Sequence, residues 1–320
     1  MLPTLAQAQG GYAGSVLRMG IAARSEAMGR AYTAVGGNPE SAFYNPAAVT
    51  MMEKRGVDLS LRALSLDRRF AFAGFSAGIR PKSKKDSTSQ SDSLKNKPRK
   101  GPLGGGLSLS WIHASVNNIE GRDFDGVLYD TFSNNQNIFN FTFGLRVHQK
   151  VAIGLTTRIL WNRFPRLGDG DVTVGARAFG VDLGAMVTVT EGVWLGGVYK
   201  NINASFDWNT DQIYDRGRTT TSPFPKTWRV GLATTRLLDD LLLAADVEGT
   251  NVTDPKVYFG ADYRVSPKIN ARLGARNGYP TAGGSYQFSI GKRLTFLHYA
   301  FVMQGDDISS EHVFSWSFQF

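Results

Sequence analysis

Between Phe139 and Val147 every second residue is large and apolar: Phe139, Phe141, Phe143, Leu145 and Val147 alternate with Asn140, Thr142, Gly144 and Arg146. Successive side chains of an extended strand point to opposite faces, so this spacing demands a sheet with one greasy and one polar face. The pattern recurs. Val151, Ile153, Leu155, Thr157, Ile159 and Trp161 alternate with Ala152, Gly154, Thr156 and Arg158. Val257, Phe259, Ala261 and Tyr263 alternate with Tyr258, Gly260, Asp262 and Arg264, and Ile269, Ala271, Leu273 and Ala275 with Asn270, Arg272, Gly274 and Arg276. Segments of about ten residues are the length that crosses a bilayer at a strand tilt near 45°. No run of about 18 or more consecutive apolar residues occurs, so helices that span a membrane are not expected.

About fourteen such segments are legible, an even number that fits a closed bacterial barrel. They lie near 57–66, 69–80, 103–115, 137–147, 151–163, 172–189, 193–206, 225–235, 241–250, 255–264, 268–278, 282–292, 294–304 and 312–320. Short turns fall at His148-Gln149-Lys150, Thr190-Glu191-Gly192, Ser266-Pro267 and Lys292-Arg293, and long polar loops at 116–136, 164–171 and 207–224. With both termini inside, the turns land on the periplasmic side and the long loops outside, as outer-membrane barrels require. The expected class is all-β: a transmembrane antiparallel barrel (56–320) in the bacterial outer membrane, with residues 10–55 as a plug and 1–9 as the remnant of an export signal or a disordered start.

One stretch departs from this scheme. Of a net charge of +9, most comes from Arg80 to Lys100, which holds eight basic residues against Asp86 and Asp92. Residues 81–101 have almost nothing apolar to bury and read as a disordered basic loop on the periplasmic side. Basic charge gathered in one such stretch argues against a nucleic-acid partner, which needs Lys and Arg over a folded face.

The chain ends on Phe314, Trp316, Phe318 and Phe320, all on one face of a final strand. A terminal Phe closing an alternating aromatic strand resembles the signal read by the barrel-assembly machinery. Trp161 and Trp228 map near the outer ends of their strands and suit an aromatic girdle. The chain has no Cys, which removes disulfides and thiolate chemistry. The four His are scattered, and no nucleophile elbow or phosphate loop is present, so no catalytic residue, metal or cofactor is expected.

Residues 10–55 do not alternate. Met28-Gly29-Arg30-Ala31-Tyr32-Thr33-Ala34-Val35 is followed by Tyr44-Asn45-Pro46-Ala47. This pair of motifs resembles the N-terminal hatch of the FadL superfamily, and Leu17-Arg18 with Ala23-Arg24 brings it closest to the PorV/PorQ (UPF0164-like) branch. The resemblance implies a hatch in the lumen, with Met28, Gly29, Tyr32, Asn45, Pro46 and Ala47 as its motif. A fourteen-stranded barrel is too wide for its own side chains to fill, so a plug or water must occupy it.

Charges on the lipid face cost roughly 2–4 kcal/mol for Arg near the midplane, so the alternation turns them inward. Arg62, Arg146, Arg158, Arg229, Asp246, Glu248, Asp262, Arg264, Arg272 and Arg276, with Asp58, are expected to line the lumen. They can pair with one another and with Arg24, Glu26 and Arg30 of the plug. Met28, Tyr32, Phe43 and Tyr44 are the candidate hydrophobic pocket, and Gly180, Gly184, Gly196 and Gly197 the places where a break in the wall would be cheapest. Two functions follow from the resemblance: passive transport of hydrophobic small molecules, or a PorV/PorQ-like accessory role in type IX secretion. The expected partners are outer-membrane lipid and lipopolysaccharide, the barrel-assembly machinery, and a lipid-like ligand or secretion-system proteins.

Overall fold

A sheet that is apolar on one face and too wide to stack on itself closes into a barrel. In the computed structural model, which describes residues 13–65, 67–79, 104–167, 172–209, 211, 219–291, 293–305 and 310–320, fourteen antiparallel strands form one closed barrel. In chain order the first seven are β1 (Gly56–Leu64), β2 (Arg68–Ile79), β3 (Gly105–Arg122), β4 (Leu128–His148), β5 (Val151–Leu167), β6 (Val172–Thr190) and β7 (Val193–Ile202). A separate hairpin follows, β8 (Ser205–Asn209) with β9 (Thr219–Pro223). The wall then resumes with β10 (Thr227–Thr234), β11 (Leu241–Thr250), β12 (Lys256–Ser266), β13 (Ile269–Arg276), β14 (Tyr279–Ile290), β15 (Arg293–Val302) and β16 (Glu311–Gln319). Each wall strand pairs with its neighbour, and β1 closes on β16 in the register Gly56↔Gln319 to Arg62↔Val313. Closure leaves the wall without an edge strand, which lipid would not tolerate.

All fourteen expected segments are strands, but three loop assignments need correction. Residues 116–136 are mostly strand: β3 runs on to Arg122, and β4 starts at Leu128. Polar residues follow one another there, with Ser133, Asn134, Asn135, Gln136 and Asn137 in sequence, so no apolar period marks the extension. β5 likewise runs to Leu167, and 207–224 holds most of the β8–β9 hairpin. Residues 1–9 and 81–101 lie outside the described residues.

The outer wall carries the apolar set. Phe139, Phe141, Phe143 and Leu145 are exposed, whereas Ile138, Asn140 and Thr142 beside them are buried. Contiguous exposed apolar surface of this extent belongs in lipid. Phe314, Trp316 and Phe320 are exposed on the same outer face, and Trp228 sits there at the start of β10.

The inner wall is not polar throughout. On the halves of β2–β6 nearest the long loops, Phe70, Phe72, Ile112, Ile138, Leu160, Ala176 and Ala178 point inward and are buried. Phe206 of β8 and Phe224, just past β9, close over them, with ring centroids 4.9 Å apart. Strands here are apolar on both faces, as buried strands are. Alternation marks only strands with one wet face.

Candidate functional site

Within the barrel the N-terminal segment forms short pieces joined by turns: a 3₁₀ turn at Ser15–Arg18, α1 (Ala23–Ala27), α2 (Ser41–Tyr44) and a 3₁₀ turn at Pro46–Met51. Ile21, Met28, Tyr32 and Ala47 are wholly buried. Helices this short have no stability of their own. Contact with the wall holds them.

That contact is backbone against backbone. Gly29 has φ 59°, and a Cβ there would lie 2.5 Å from the Ala275 carbonyl oxygen and 2.6 Å from that of Phe259. Only glycine fits, because the left-handed region and the close approach both exclude a side chain. From the wall, a Cβ on Gly154 would overlap the Pro46 carbonyl carbon, one on Gly184 would overlap Asn45 Oδ1, and one on Gly196 the Thr33 carbonyl oxygen. Gly184 and Gly196 are therefore where the hatch presses on the wall, not points of weakness. Gly180 faces Ala204, and Gly197 meets nothing within 4 Å.

Asn45 links the two motifs. Its Nδ2 donates to the Thr33 carbonyl oxygen at 2.8 Å and to that of Ala185 on β6 at 3.0 Å, while its Oδ1 accepts from Ala47 N–H at 3.0 Å. Pro46 then starts the 3₁₀ turn, where its missing N–H costs nothing. Asp246 of β11 accepts from the backbone N–H groups of Tyr32 and Thr33 and from the Thr33 hydroxyl.

Ion pairs join wall and hatch. Glu26 lies 2.7 Å from Arg62, 2.8 Å from Arg30 and 3.9 Å from Arg276; Arg62 also holds Glu311 at 3.0 Å. Burial pushes the Glu26 carboxyl up, but Arg30, Arg62 and Arg276 outweigh it and hold it below the usual carboxylate range. Asp262 bridges Arg24 at 3.2 Å and Arg272 at 2.9 Å. Arg229 reaches Asp246, Glu248 and the Arg30 carbonyl oxygen, and its guanidinium stacks on Tyr258 at 3.9 Å. Arg158 pairs with Asp182 at 2.5 Å and with Asn140 and Asn201. Arg146 is half-buried and donates to the Thr50 carbonyl oxygen. Arg264 departs from expectation: it is exposed at the rim and pairs with Asp240 of the adjoining turn, 3.1 Å away, rather than with the hatch.

The candidate pocket residues are brought together. Tyr32 and Tyr44 have ring centroids 5.2 Å apart, Phe43 meets Tyr44 edge-on at 5.4 Å, and Met28 belongs to the same cluster. Two of them carry a polar tip. Tyr32 donates to Glu40 at 2.9 Å, and Tyr44 to Ser25, which also donates to Glu40. Burial raises the Glu40 carboxyl above its usual range, and Arg24 and these hydrogen bonds only partly offset it. Lys200 of β7 lies over the Phe43 ring at 4.9 Å and donates to the Phe43 carbonyl oxygen. Asp182, Lys200, Glu40, Glu311 and the apolar inner faces of β2–β6 are the site residues that sequence reasoning missed. Inward parity could have marked Asp182 and Lys200, since their strands were legible.

Between the hatch and the end of the barrel nearest the C-terminus lies a polar cavity of about 430 Å³, lined by Arg24, Glu40, Asp58, Arg272 and His298 among others. Among the described residues, Asp58 Oδ1, Arg272 Nη1 and His298 Nδ1 have no hydrogen-bond partner. A space of that size and polarity holds water. The lumen is thus layered: an apolar cluster under the long loops, into which Val16 packs, then the rest of the hatch, and a wet vestibule.

A closed antiparallel barrel with an apolar outer wall and a lumenal plug is a protein of the bacterial outer membrane. Its fold is shared with solved FadL-type transporters. The Pseudomonas aeruginosa FadL homologue matches at TM-score 0.62 and 12% identity, over 94% of this chain and 98% of that one. The P. putida toluene transporter TodX matches at 0.59 and 14%, over 94% and 99%. The Ralstonia pickettii toluene transporter TbuX matches at 0.57 and 16%, over 94% and 98%. At such identities the likeness is one of fold, and these matches do not point to the PorV/PorQ branch. No protein-family model and no curated protein matches the sequence.

Proposed function

We propose that this barrel passes hydrophobic small molecules across the outer membrane without an energy source. The observation that carries the reading is the apolar cluster inside an otherwise charged lumen: Phe70, Phe72, Ile112, Ile138 and Leu160 pack with Phe206, Phe224, Tyr44 and Val16 of the N-terminal turn. A greasy solute that takes the place of the N-terminal turn against these side chains gains about 25 cal/mol per Å² of apolar surface removed from water. The FadL-type fold and the toluene transporters that share it support the same class of solute. Release past the hatch is opposed by its packing, and release sideways requires neighbouring wall strands to part. The hatch is packed to backbone contact against the wall, and the vestibule beneath it is charged.

Phe43→Asp is a poor probe of this reading, because Lys200 stands ready to pair with the new carboxylate. Leu160→Asn places an amide among apolar neighbours, at a cost of about 1–3 kcal/mol. The test is equilibrium binding of radiolabelled toluene to the purified barrel, with intact heat-modifiability as the check on folding. Binding should weaken about tenfold or more in the variant. Unchanged binding in a well-folded Leu160→Asn barrel overturns the reading. If wild type takes up no toluene, and changes at the β3–β4 tip abolish capture of a surface protein, the PorV/PorQ-like role replaces it.

A further inference from the structure

The outer face of β2–β6 changes chemistry abruptly from one rung of the sheet to the next. Cross-strand register places Ala73, Trp111, Phe139, Ile159 and Phe179 side by side. Two residues nearer the long loops, the neighbours are Ala71, His113, Asn137, Trp161 and Arg177. Two residues beyond that, they are Arg69, Ser115, Asn135, Arg163 and Gly175. The first rung is wholly apolar. The next two carry three arginines and no acidic side chain.

This boundary is built, not incidental. Phe139 stacks on Trp111 and meets Trp161 edge-on, with centroids 6.5 and 5.3 Å apart. Asn137 Oδ1 takes a hydrogen bond from Trp111 Nε1 at 3.1 Å and contacts His113 Nδ1 at 3.0 Å, which leaves the amide Nδ2 as a donor. Beside it runs a groove of about 630 Å³ lined by Asn137, Phe139, Trp161, Arg163, Thr173 and Arg177 among others. Arg163 and Arg177 are exposed, and among the described residues neither forms an ion pair. They stand on adjacent strands in diagonal positions, with Cβ atoms about 7–8 Å apart. Two guanidinium groups at that spacing can converge on one phosphate, each offering paired N–H donors.

We infer that this groove holds the phosphorylated head of an outer-leaflet glycolipid of the lipid A class. Arg163 and Arg177 take the phosphate, Asn137 and Thr173 bond the sugar, and Phe139 and Trp161 cover the first part of an acyl chain. The orientation is set by the short turns at the opposite end of the barrel, so the long-loop end meets the outer leaflet. An ordinary phospholipid offers one phosphate but no sugar for the polar side of the groove. The inference does not depend on what passes through the lumen.

The test uses the full-length barrel in detergent and native mass spectrometry. The probes are hexa-acylated lipid A with its phosphates, the same glycolipid dephosphorylated, and phosphatidylglycerol. Wild type should retain phosphorylated lipid A at least tenfold better than either other lipid, and the double variant Arg163→Gln, Arg177→Gln should lose that preference. Both changes are on the exposed face, and heat-modifiability checks that the barrel is closed. Arg163→Lys with Arg177→Lys keeps the charge but not the paired donors, so its affinity should fall between the two. Equal retention of lipid A by the glutamine variant overturns the inference. So does equal binding of phosphatidylglycerol, which would mean a generic anionic surface, or of the dephosphorylated glycolipid, which would mean that the arginines do not select phosphate.

Discussion

Asp246 and Thr33 are 213 residues apart in the chain, yet one carboxylate oxygen of Asp246 accepts both the Thr33 N–H, at 3.0 Å, and the Thr33 hydroxyl, at 2.7 Å. The same oxygen takes the Tyr32 N–H. A wall carboxylate thus caps a hatch turn whose backbone donors would otherwise be buried without partners, at a cost of about 1–3 kcal/mol each. Asp246→Asn should loosen this turn while leaving the barrel closed. Amide exchange at Tyr32 to Val35 should accelerate, with heat-modifiability retained. Unchanged exchange would show that the turn holds itself.

Glu26 is the sole acidic contact that the hatch makes with Arg62 and Arg276 among the described residues. Glu26→Gln leaves guanidinium groups buried without their counter-charge, and breaking such a pair costs about 3–5 kcal/mol. The midpoint of thermal unfolding should fall well below that of wild type. Glu311 remains to hold Arg62, so the barrel should still assemble. A midpoint equal to that of wild type would mean that the network adds no stability.

The wall glycines under the hatch should be intolerant of side chains. Gly184→Val must displace Asn45 or Pro46, whereas Gly197→Ala enters open space. In planar bilayers Gly184→Val should raise ion conductance by unseating the hatch. Gly197→Ala should leave conductance alone and change stability by no more than about 0.5 kcal/mol. Equal conductance in wild type and both variants would place the seal elsewhere.

The β8–β9 hairpin packs Phe206 onto the apolar cluster, and Phe224 N–H donates to the Ala204 carbonyl oxygen at 2.9 Å across its base. Replacing residues 205–223 with a two-residue turn should therefore preserve the wall. If the hairpin is a lid, entry of toluene into proteoliposomes should speed up. A slower or unchanged rate would assign it another role.

Phe320 is exposed on the outer wall, its N–H donating to the Arg55 carbonyl oxygen and its ring 6.0 Å from the Arg293 guanidinium. Exposure limits what it can add to stability. Deletion should lower the amount of assembled barrel in cells several-fold, yet leave refolding of purified chain into detergent micelles intact. Equal loss in both settings would reduce its role to packing.

How much of this was legible in the sequence follows from what a period can encode. Alternation of apolar and polar residues along Phe139–Val147 is a one-dimensional record of which side faces lipid, so all fourteen strands could be read from it. The inward parity of Arg62, Arg158, Arg229, Asp246, Asp262 and Arg272 was legible for the same reason. Where both faces share one chemistry the record is blank. The polar stretch 133–136 of β4 therefore looked like loop, and the apolar inner faces at Phe70, Phe72, Ile112 and Leu160 gave no sign that they pack into one cluster. Partner choice needs distance, and distance in a barrel is set by closure. Only the closed sheet brings Arg62 to Glu26 and Asp246 to Thr33 and sends Arg264 to Asp240 at the rim. It also turns Gly184 and Gly196 from apparent weak points into the surface on which the hatch rests.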